Sequence, residues 1–579
     1  MTLMRPSFRA LPAICMSASV AFALLTTQVG CGPRQPPKLP VPAVKAVPVP
    51  MPAAPPPSPA PLFAYLKIRD LGRVMNLFGG EATLGMMAQA QGINLGEITP
   101  GQPLSLFLWD PDRVDTPFAL PLAGLFPVPA EGTIAARLTR MNESLKADAW
   151  GTTTLIGMNS DAVDRAREQK DALLGLSGAA TPFDALLYVH TDAIVAKYAP
   201  VLRQGIRAMQ PVLTMTAGHQ PGAPSPQSTM AMLEGVVSSL EQQRAAALGV
   251  STYDGGVEVS TLIQEKPRAG NSTGEKGPIA AANLAQFLPP GDLRLVWNSR
   301  DIRRYIDFYL RVYGPILDER PELKTVVMNL VDQWVKVAQH TDSAMSFALG
   351  GDKIVTGHGI LRVDNAAGAL ALTRSMVGLL QGGPVHDLYS RMGVDFQVVG
   401  KQAVRKIYGW PVDRYEYKIA VAQQVTEPTV RHLWERLNGM SYEVAQVGPY
   451  MLYSLNGSVD GLARSMFSVG AKPADGTSPP PILQAMASFP AGGSFYADVN
   501  VSSLLRSMRA LLPEASRARL PELPPESGLL TLFGYDGGDV GYYKMRVPMT
   551  LILAIKSAAD QVQRNESNRP HFRPGAPPN

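Results

Sequence analysis

The feature that most constrains how this chain folds is a strand that runs directly into a helix at residues 293–314. Leu293, Leu295 and Trp297 occupy alternate positions, which predicts a half-buried strand. Asn298 is a favourable N-cap for the helix that follows. Apolar residues then recur at three- and four-residue steps, which predicts an amphipathic helix with its apolar side against the sheet: Ile302, Tyr305, Ile306, Tyr309, Val312 and Tyr313.

Similar units recur along the chain. A strand followed by a capped helix is predicted at 63–79, 186–202, 293–314 and 494–512, with the caps Asp70, Thr191, Asn298 and Asn500. Turn-forming residues downstream of each strand predict an antiparallel hairpin, at 109–112, 253–256, 349–352 and 535–538. The second and fourth of these turns share the sequence YDGG. A strand, a polar turn and a helix also occur twice, at 152–167 and 450–466, with the caps Ser160 and Ser458.

These repeats predict the fold class and the division of the chain. We expect a two-lobed α+β protein made of internally repeated strand–helix–antiparallel hairpin units, as a divergent duplication would produce. With 579 residues, the chain is too long for one ordinary domain. The predicted parts behind the N-terminal segments are a first half at 62–265, an inter-half loop at 266–284, a second half at 285–560 and a disordered tail at 561–579.

The N-terminus predicts export. Residues 1–31 begin with the basic Arg5 and Arg9 and continue with an uncharged, mainly apolar stretch that ends near Cys31, as in a signal peptide. Ordinary cleavage after Ala23 and an uncleaved membrane anchor are the alternatives. Residues 32–61 are close to half proline, which excludes helix and sheet interior and predicts an extended spacer.

Gly30 followed by Cys31 resembles the lipobox of bacterial lipoproteins, although Gln28 stands where that family has leucine. The resemblance implies a signal peptide that ends at Cys31 and a lipidated, palmitate-bearing Cys31. With Gly32 next, it implies an outer-membrane anchor that faces the periplasm or the cell surface. The folded part resembles a family of exported bacterial proteins of unknown function in its Pro289-Pro290-Gly291 lead-in, its Asn caps and its hairpins. That family supplies no catalytic residue to carry over.

Chemical motifs point away from catalysis. The two cysteines are Cys15 and Cys31, so the processed chain has no internal disulfide. No histidine has another three or four residues away, and His340 and His358, which flank the third hairpin, are the pair to inspect for a metal. The segment 270–276 lacks the Gly-Lys-Ser/Thr ending of a phosphate loop, and no GxSxG motif occurs. We expect no catalytic, metal or cofactor site.

The formal net charge is +5, and the basic residues do not form a stripe with aromatic residues between them. We therefore expect no nucleic-acid partner. The leading hypothesis is a lipid-anchored cell-envelope protein with a non-catalytic structural or interaction role. A binding protein for an apolar or lipid-like ligand between the two halves is one alternative, and a hydrolase with a dispersed site is another. The expected partners are the membrane through Cys31 and either an envelope protein or an apolar ligand.

Overall fold

The structure is a computed structural model of the chain. It describes residues 51–54 and 61–567 except for these gaps: 71–96, 100, 112–119, 133, 135, 138–139, 141–143, 218–224, 254, 267–279, 300–305, 308, 311–313, 316, 351–354, 392, 424–427, 469–492, 512–521, 526 and 537–538. The predicted signal peptide, Cys31 and most of the predicted spacer therefore lie outside the described residues.

The described residues form a mixed α+β fold that contains a large antiparallel sheet. In chain order the strands are β1 Leu62–Ile68, β2 Leu104–Trp109, β3 Leu122–Phe126, β4 Lys146–Trp150, β5 Thr153–Gly157, β6 Ala185–Val189, β7 Gln243–Tyr253, β8 Gly256–Glu265, β9 Leu293–Ser299, β10 Thr341–Leu349, β11 Val355–Val363, β12 Val394–Ile407, β13 Trp410–Val421, β14 Met440–Val447, β15 Tyr450–Leu455, β16 Gly493–Asn500, β17 Leu529–Asp536 and β18 Val540–Pro548.

The helices lie between these strands. In chain order they are α1 Ser160–Glu168, α2 Lys170–Gly178, α3 Thr191–Ala208, α4 Gln210–Ala217, α5 Pro226–Glu241, α6 Ala280–Ala285, α7 Pro321–Ala338, α8 Ala366–Gln381, α9 Pro384–Arg391, α10 Pro428–Leu437, α11 Asp460–Ser468, α12 Val501–Leu511 and α13 Met549–Ser567. The last helix extends beyond 560, so the tail predicted as disordered at 561–579 begins within a helix.

All the strands in the described part of the chain belong to one 18-stranded antiparallel sheet. Their pairings give the spatial order β4-β5-β3-β2-β1-β6-β7-β8-β18-β17-β16-β9-β10-β11-β15-β14-β13-β12. The predicted halves therefore share a sheet and do not form two separate ones. They meet where β8 pairs with β18 from Gly256 to Gln264, a junction that we call the seam.

The strand order is the same on the two sides of the seam. The first half runs β4-β5-β3-β2-β1-β6-β7-β8 toward it, and the second half runs β14-β15-β11-β10-β9-β16-β17-β18 toward it. The hairpin β12–β13 lies beyond β14 and has no counterpart in the described part of the first half. Within the seam, Ser260 pairs with Lys544 at the middle of nine paired positions.

The two YDGG motifs do not occupy the same place in their hairpins. Tyr253 pairs with Gly256, so two residues connect β7 to β8. Tyr535 instead pairs with Tyr542, and Asp536 with Gly541, so the second connection is two residues longer. The turn chemistry marked both hairpins correctly, but the motifs themselves are out of register by two residues.

The predicted helix caps have mixed outcomes. Asn500 caps α12, since its side-chain oxygen accepts a hydrogen bond from the Ser503 amide at 3.1 Å. Asn298 instead lies within β9, where it pairs with Asp342 and its side chain donates to that carboxylate at 3.2 Å. At the start of α1 the cap is Asn159 and not Ser160. Thr191 is the first residue of α3, and it follows the cap position.

The apolar side of the helix predicted after β9 was assigned wrongly at one position. Tyr309 is 59% exposed and therefore does not cover the sheet. Ile306 is half-buried, while Ile302 and Tyr305 lie outside the described residues. Because aromatic residues satisfy a 3.6-residue pattern whether or not they are buried, the periodicity alone did not distinguish Tyr309 from Ile306.

One continuous core covers the face of the sheet that we call the inner face. It includes Phe107, Leu155, Val296, Ile360 and Phe533, which come from strands on both sides of the seam. The helices α1 and α11, which follow the equivalent strands β5 and β15, contribute buried residues to the same core: Ala162, Val163, Ala166, Leu462, Ala463 and Met466. The opposite, outer face is packed by α7 and α8 near β11 and by α12 and α13 near β17.

Candidate functional site

A continuous row of polar residues crosses the inner face of the sheet. Each member pairs directly with the next one on the neighbouring strand, over twelve consecutive strands from β7 to β12. We call this set the polar row, and in spatial order its members are Ser251, Glu258, Arg546, Thr531, Asp498, Arg294, Ser346, His358, Ser454, Glu443, Arg414 and Lys401.

Asp498 is the most completely bonded carboxylate of the polar row. Its Oδ2 accepts from Arg294 Nη2 at 2.6 Å, and its Oδ1 accepts from Tyr496 at 2.7 Å and Thr531 at 3.2 Å. Burial, reinforced by the neighbouring Asp498 charge, raises the pKa of Tyr496 above its ordinary value, so its hydroxyl stays protonated and donates. These bonds link β9, β16 and β17.

Glu258 and Glu443 have comparable arrangements on either side. Glu258, at the seam, lies 2.7 Å from Lys544 Nζ and 2.8 Å from Arg546 Nε, so a carboxylate of the first half is held by two cations of the second. Glu443 lies 2.6 Å from Arg405 Nη2 and also accepts from the Val459 amide at 3.2 Å. In each case the charge of a buried or half-buried carboxylate is balanced by cations of other strands: β18 for Glu258, and β12, on the far side of β13, for Glu443.

His358 and Ser454 form the arrangement within the polar row that most resembles catalytic machinery. Ser454 Oγ lies 3.3 Å from His358 Nδ1, which is the spacing of a nucleophile and its base. Burial lowers the pKa of His358 below its ordinary value of 6.5, so the ring is neutral near pH 7. Ser454, however, is 0% exposed, and a substrate cannot reach its hydroxyl in this conformation.

The surroundings of this pair are tightly filled. A Cβ added at Gly457 would lie 2.7 Å from Ser454 Oγ and 3.1 Å from His358 Cε1. Ser346, the other strand neighbour of His358, is also buried, and its hydroxyl has no hydrogen-bond partner among the described residues. The geometry therefore supports a packed polar contact in which the hydroxyl groups of Ser454 and Ser346 are enclosed.

The two histidines chosen from the sequence do not come together. His340 precedes β10 and lies opposite Asp364, whose carboxylate is 3.1 Å from His340 Nδ1. His358 is six positions further along the paired strand, which corresponds to about 20 Å. Within the part of the chain that the structure describes, no group of three His, Cys, Asp or Glu side chains is placed to hold a metal ion.

Two further findings concern the membrane and known proteins. In the described part of the chain, no helix is long and apolar enough to cross a membrane.

The fold and the polar row define a mixed α+β protein built on one wide antiparallel sheet. No family model, no curated protein and no solved structure matches this chain.

The polar row is the feature that sequence reasoning missed. Each of these strands carries at least one polar residue at an inward position, such as Asp498 beside Tyr496 in β16, but polar residues in strands are common. Which strands are neighbours, and in which register, determines whether such residues meet. Neither is written in the local pattern, so the row becomes visible only after the strands are paired.

Proposed function

We propose that this chain is a lipid-anchored cell-envelope protein with a non-catalytic structural or interaction role. The observation that carries the proposal is the use made of the polar row. Its carboxylates Glu258, Asp498 and Glu443 are each bound to cations of other strands, on β18, β9 and β12 respectively. The groups that would be suited to chemistry are thus engaged in maintaining a wide sheet, which is what a scaffold requires.

The envelope location rests on the N-terminal sequence. Gly30-Cys31 behind an uncharged apolar stretch supports lipidation at Cys31, and the proline-rich residues 32–61 support an extended spacer between anchor and folded part. We place the anchor in the outer membrane, with the folded part in the periplasm or at the cell surface. A family of exported bacterial proteins of unknown function remains the proposed relationship.

The finer description of the fold is that of an internal duplication. The matching strand order on the two sides of the seam supports it, and so do the buried positions of α1 and α11 after equivalent strands. Tight Gly turns at equivalent places support it further, at Gly151 between β4 and β5 and at Gly448 between β14 and β15. The inserted hairpin β12–β13 then belongs to the second copy alone.

The alternatives from the sequence receive less support. A ligand held between the halves would need a gap there, yet β8 and β18 pair directly along the seam. A hydrolase would need an accessible nucleophile, and Ser454 is fully buried beside His358. No specific observation favours either function over a scaffold.

Metabolic labelling with a fatty-acid analogue tests the anchor. The wild-type protein should incorporate the label, and Cys31→Ala should lose it completely, because the thioether bond to the lipid needs that sulfur. Cys15→Ala is the matched control, since it removes the other cysteine and should be labelled like the wild type. A wild-type protein that takes up no label contradicts the lipoprotein proposal.

A further inference from the structure

The helices α3 and α4 carry an exposed apolar surface that the rest of the described chain does not cover. Val201 is 60% exposed, Val212 59% and Met215 78%, and Leu202 and Met209 are nearly half exposed. Val201 and Val212 are eleven positions apart, about three helical turns, so they lie on one side, and Met209 lies at the turn between α3 and α4. Exposed apolar patches of this kind mark contacts with membranes or proteins.

This surface is adjacent to, and distinct from, the side of α3 that is used in packing. Val195 and Ala199 are buried against Val237 of α5, with Ile206 beside them. The polar side of the same helix pair carries Arg203, Gln204, Arg207, Gln210 and Thr214. The arrangement is an amphipathic helix pair whose apolar side remains exposed after the helix has packed on its own protein.

Beyond Asp192 in the first turn of α3, which is bound to Lys266, the charges of α3 and α4 have a single sign. From 193 to 217 the chain contains Lys197, Arg203 and Arg207 and no Asp or Glu. Lys197 and Arg203 are bound to Asp110 and Glu241, which leaves Arg207 as the cation of this segment whose charge no carboxylate among the described residues balances. An apolar surface beside a cation, with no carboxylate in the segment, is complementary to an anionic bilayer surface.

The position of α3 relative to the N-terminal segment fits a contact with the same membrane. The His190 amide, directly before α3, donates to the Phe63 carbonyl in β1 at 2.8 Å, and Tyr198 packs edge-on against Phe63. Helix α3 thus begins where the chain enters the folded part. About 20 residues separate Cys31 from Met51, enough to span at most about 70 Å, while α3 and α4 up to Met215 span about 38 Å.

We propose that the exposed apolar side of α3 and α4 inserts into the interfacial region of an anionic lipid bilayer and is a second membrane contact of this protein. The inference rests on the proposed envelope location, because that location brings the surface close to a bilayer. Tethering raises the effective concentration of the surface at the membrane, so a shallow apolar insertion is sufficient. Arg207 adds a preference for anionic lipid of about fivefold.

A fluorescent probe at a single site tests this contact in the full chain. In the processed, lipid-anchored chain the sulfur of Cys31 carries the lipid, so Met215→Cys supplies the reactive thiol. This chain is labelled with an environment-sensitive dye and reconstituted into vesicles of phosphatidylcholine and brominated phosphatidylglycerol. The matched control is Val399→Cys, which is 45% exposed on the edge strand β12. We expect quenching at Met215→Cys to exceed that at Val399→Cys by about twofold or more, because an interfacial helix lies within the acyl boundary.

A second variant separates insertion from mere proximity. Adding Val212→Asp to the Met215→Cys chain should return the quenching to the level of Val399→Cys, because the charge opposes insertion while an exposed site tolerates it. Equal quenching at 215 and 399 overturns the proposal. So does energy transfer between copies at 215 without lipid quenching, since the surface would then bind a second copy. Fatty-acid labelling at Cys31 is read separately, so the anchor and the insertion can fail independently.

Discussion

At the scale of single residues, charged side chains of this protein form ion pairs that join strands. Asp498 is nearly buried and holds Arg294, Tyr496 and Thr531 at hydrogen-bond distance. Taking such a carboxylate out of water is costly, and the neighbouring cation and hydroxyl groups offset that cost only while all of them are present. The stability of the sheet should therefore depend on the integrity of each ion pair more than on the number of ion pairs.

Removing the charge of Asp498 should lower the free energy of unfolding. Asp498→Asn leaves Arg294 without its counter-charge, and we expect the free energy of unfolding in urea to fall by about 2 to 3 kcal/mol. Asp164→Asn breaks an exposed ion pair with Arg167 and should leave the midpoint of unfolding unchanged. Equal midpoints for the two variants would show that the polar row contributes nothing specific.

His358 should make stability depend on pH. Its pKa is lowered by burial, so on acidification the unfolded chain binds a proton near pH 6.5 before the folded chain does. The free energy of unfolding should therefore fall as the pH drops from about 7 toward about 5, and the loss should level off below the folded pKa. Urea titrations across this range should show a weaker pH dependence for His358→Asn. A slope for His358→Asn equal to that of the wild type would contradict this account.

At the scale of elements, tight turns define the ends of the hairpins. Trp150 pairs with Thr153, and Val447 with Tyr450, so two residues connect the strands in each case. The first of these is Gly151, with a φ of 68°, or Gly448, with a φ of 61°, as in a type II′ turn. This turn follows the twist of the strands and requires a residue that adopts positive φ without strain.

Gly151→Ala isolates that backbone requirement. A Cβ at Gly151 meets no heavy atom within 4 Å, so the change costs the left-handed conformation alone, about 1 to 2 kcal/mol of unfolding free energy. Gly175→Ala is the matched control, since Gly175 lies inside α2 with equally open space. It should stabilise the protein by about 0.5 to 1 kcal/mol. Thermal or urea unfolding of both variants checks the opposite signs.

At the scale of the whole molecule, the seam makes two halves into one sheet. Without β18, the strand β8 would present a free edge of nine positions, and such edges promote aggregation. Glu258 of the first half is bound to Lys544 and Arg546 of the second, which adds an electrostatic link to the backbone pairing. The halves should therefore be interdependent, whatever their evolutionary origin.

Cleavage between the halves tests this interdependence. A protease site inserted between 267 and 279 should be cut without separating the fragments, because the seam and the core that spans it hold them together. The two fragments should elute together from a size-exclusion column and separate when the protein unfolds in denaturant. Fragments that separate in native buffer would show that the seam is weak and that each half folds alone.

The sequence by itself determined the local elements of this protein, because strand alternation, helix periodicity and turn residues act over a few positions. It predicted the α+β class and the cap at Asn500. It placed Asn298 at a cap and Tyr309 in the core, since an amide or a ring in a local pattern carries no information on what lies across the sheet.

The tertiary structure alone decided the seam and the polar row. Both depend on which strand lies beside which, and pairs such as Arg294 with Asp498 are formed by residues about two hundred positions apart. The free energy that selects those partners comes from burying the inner face and balancing its charges, and every strand contributes to it. No single stretch of the chain specifies which strands pair, so the pairing is determined only when the whole sheet assembles.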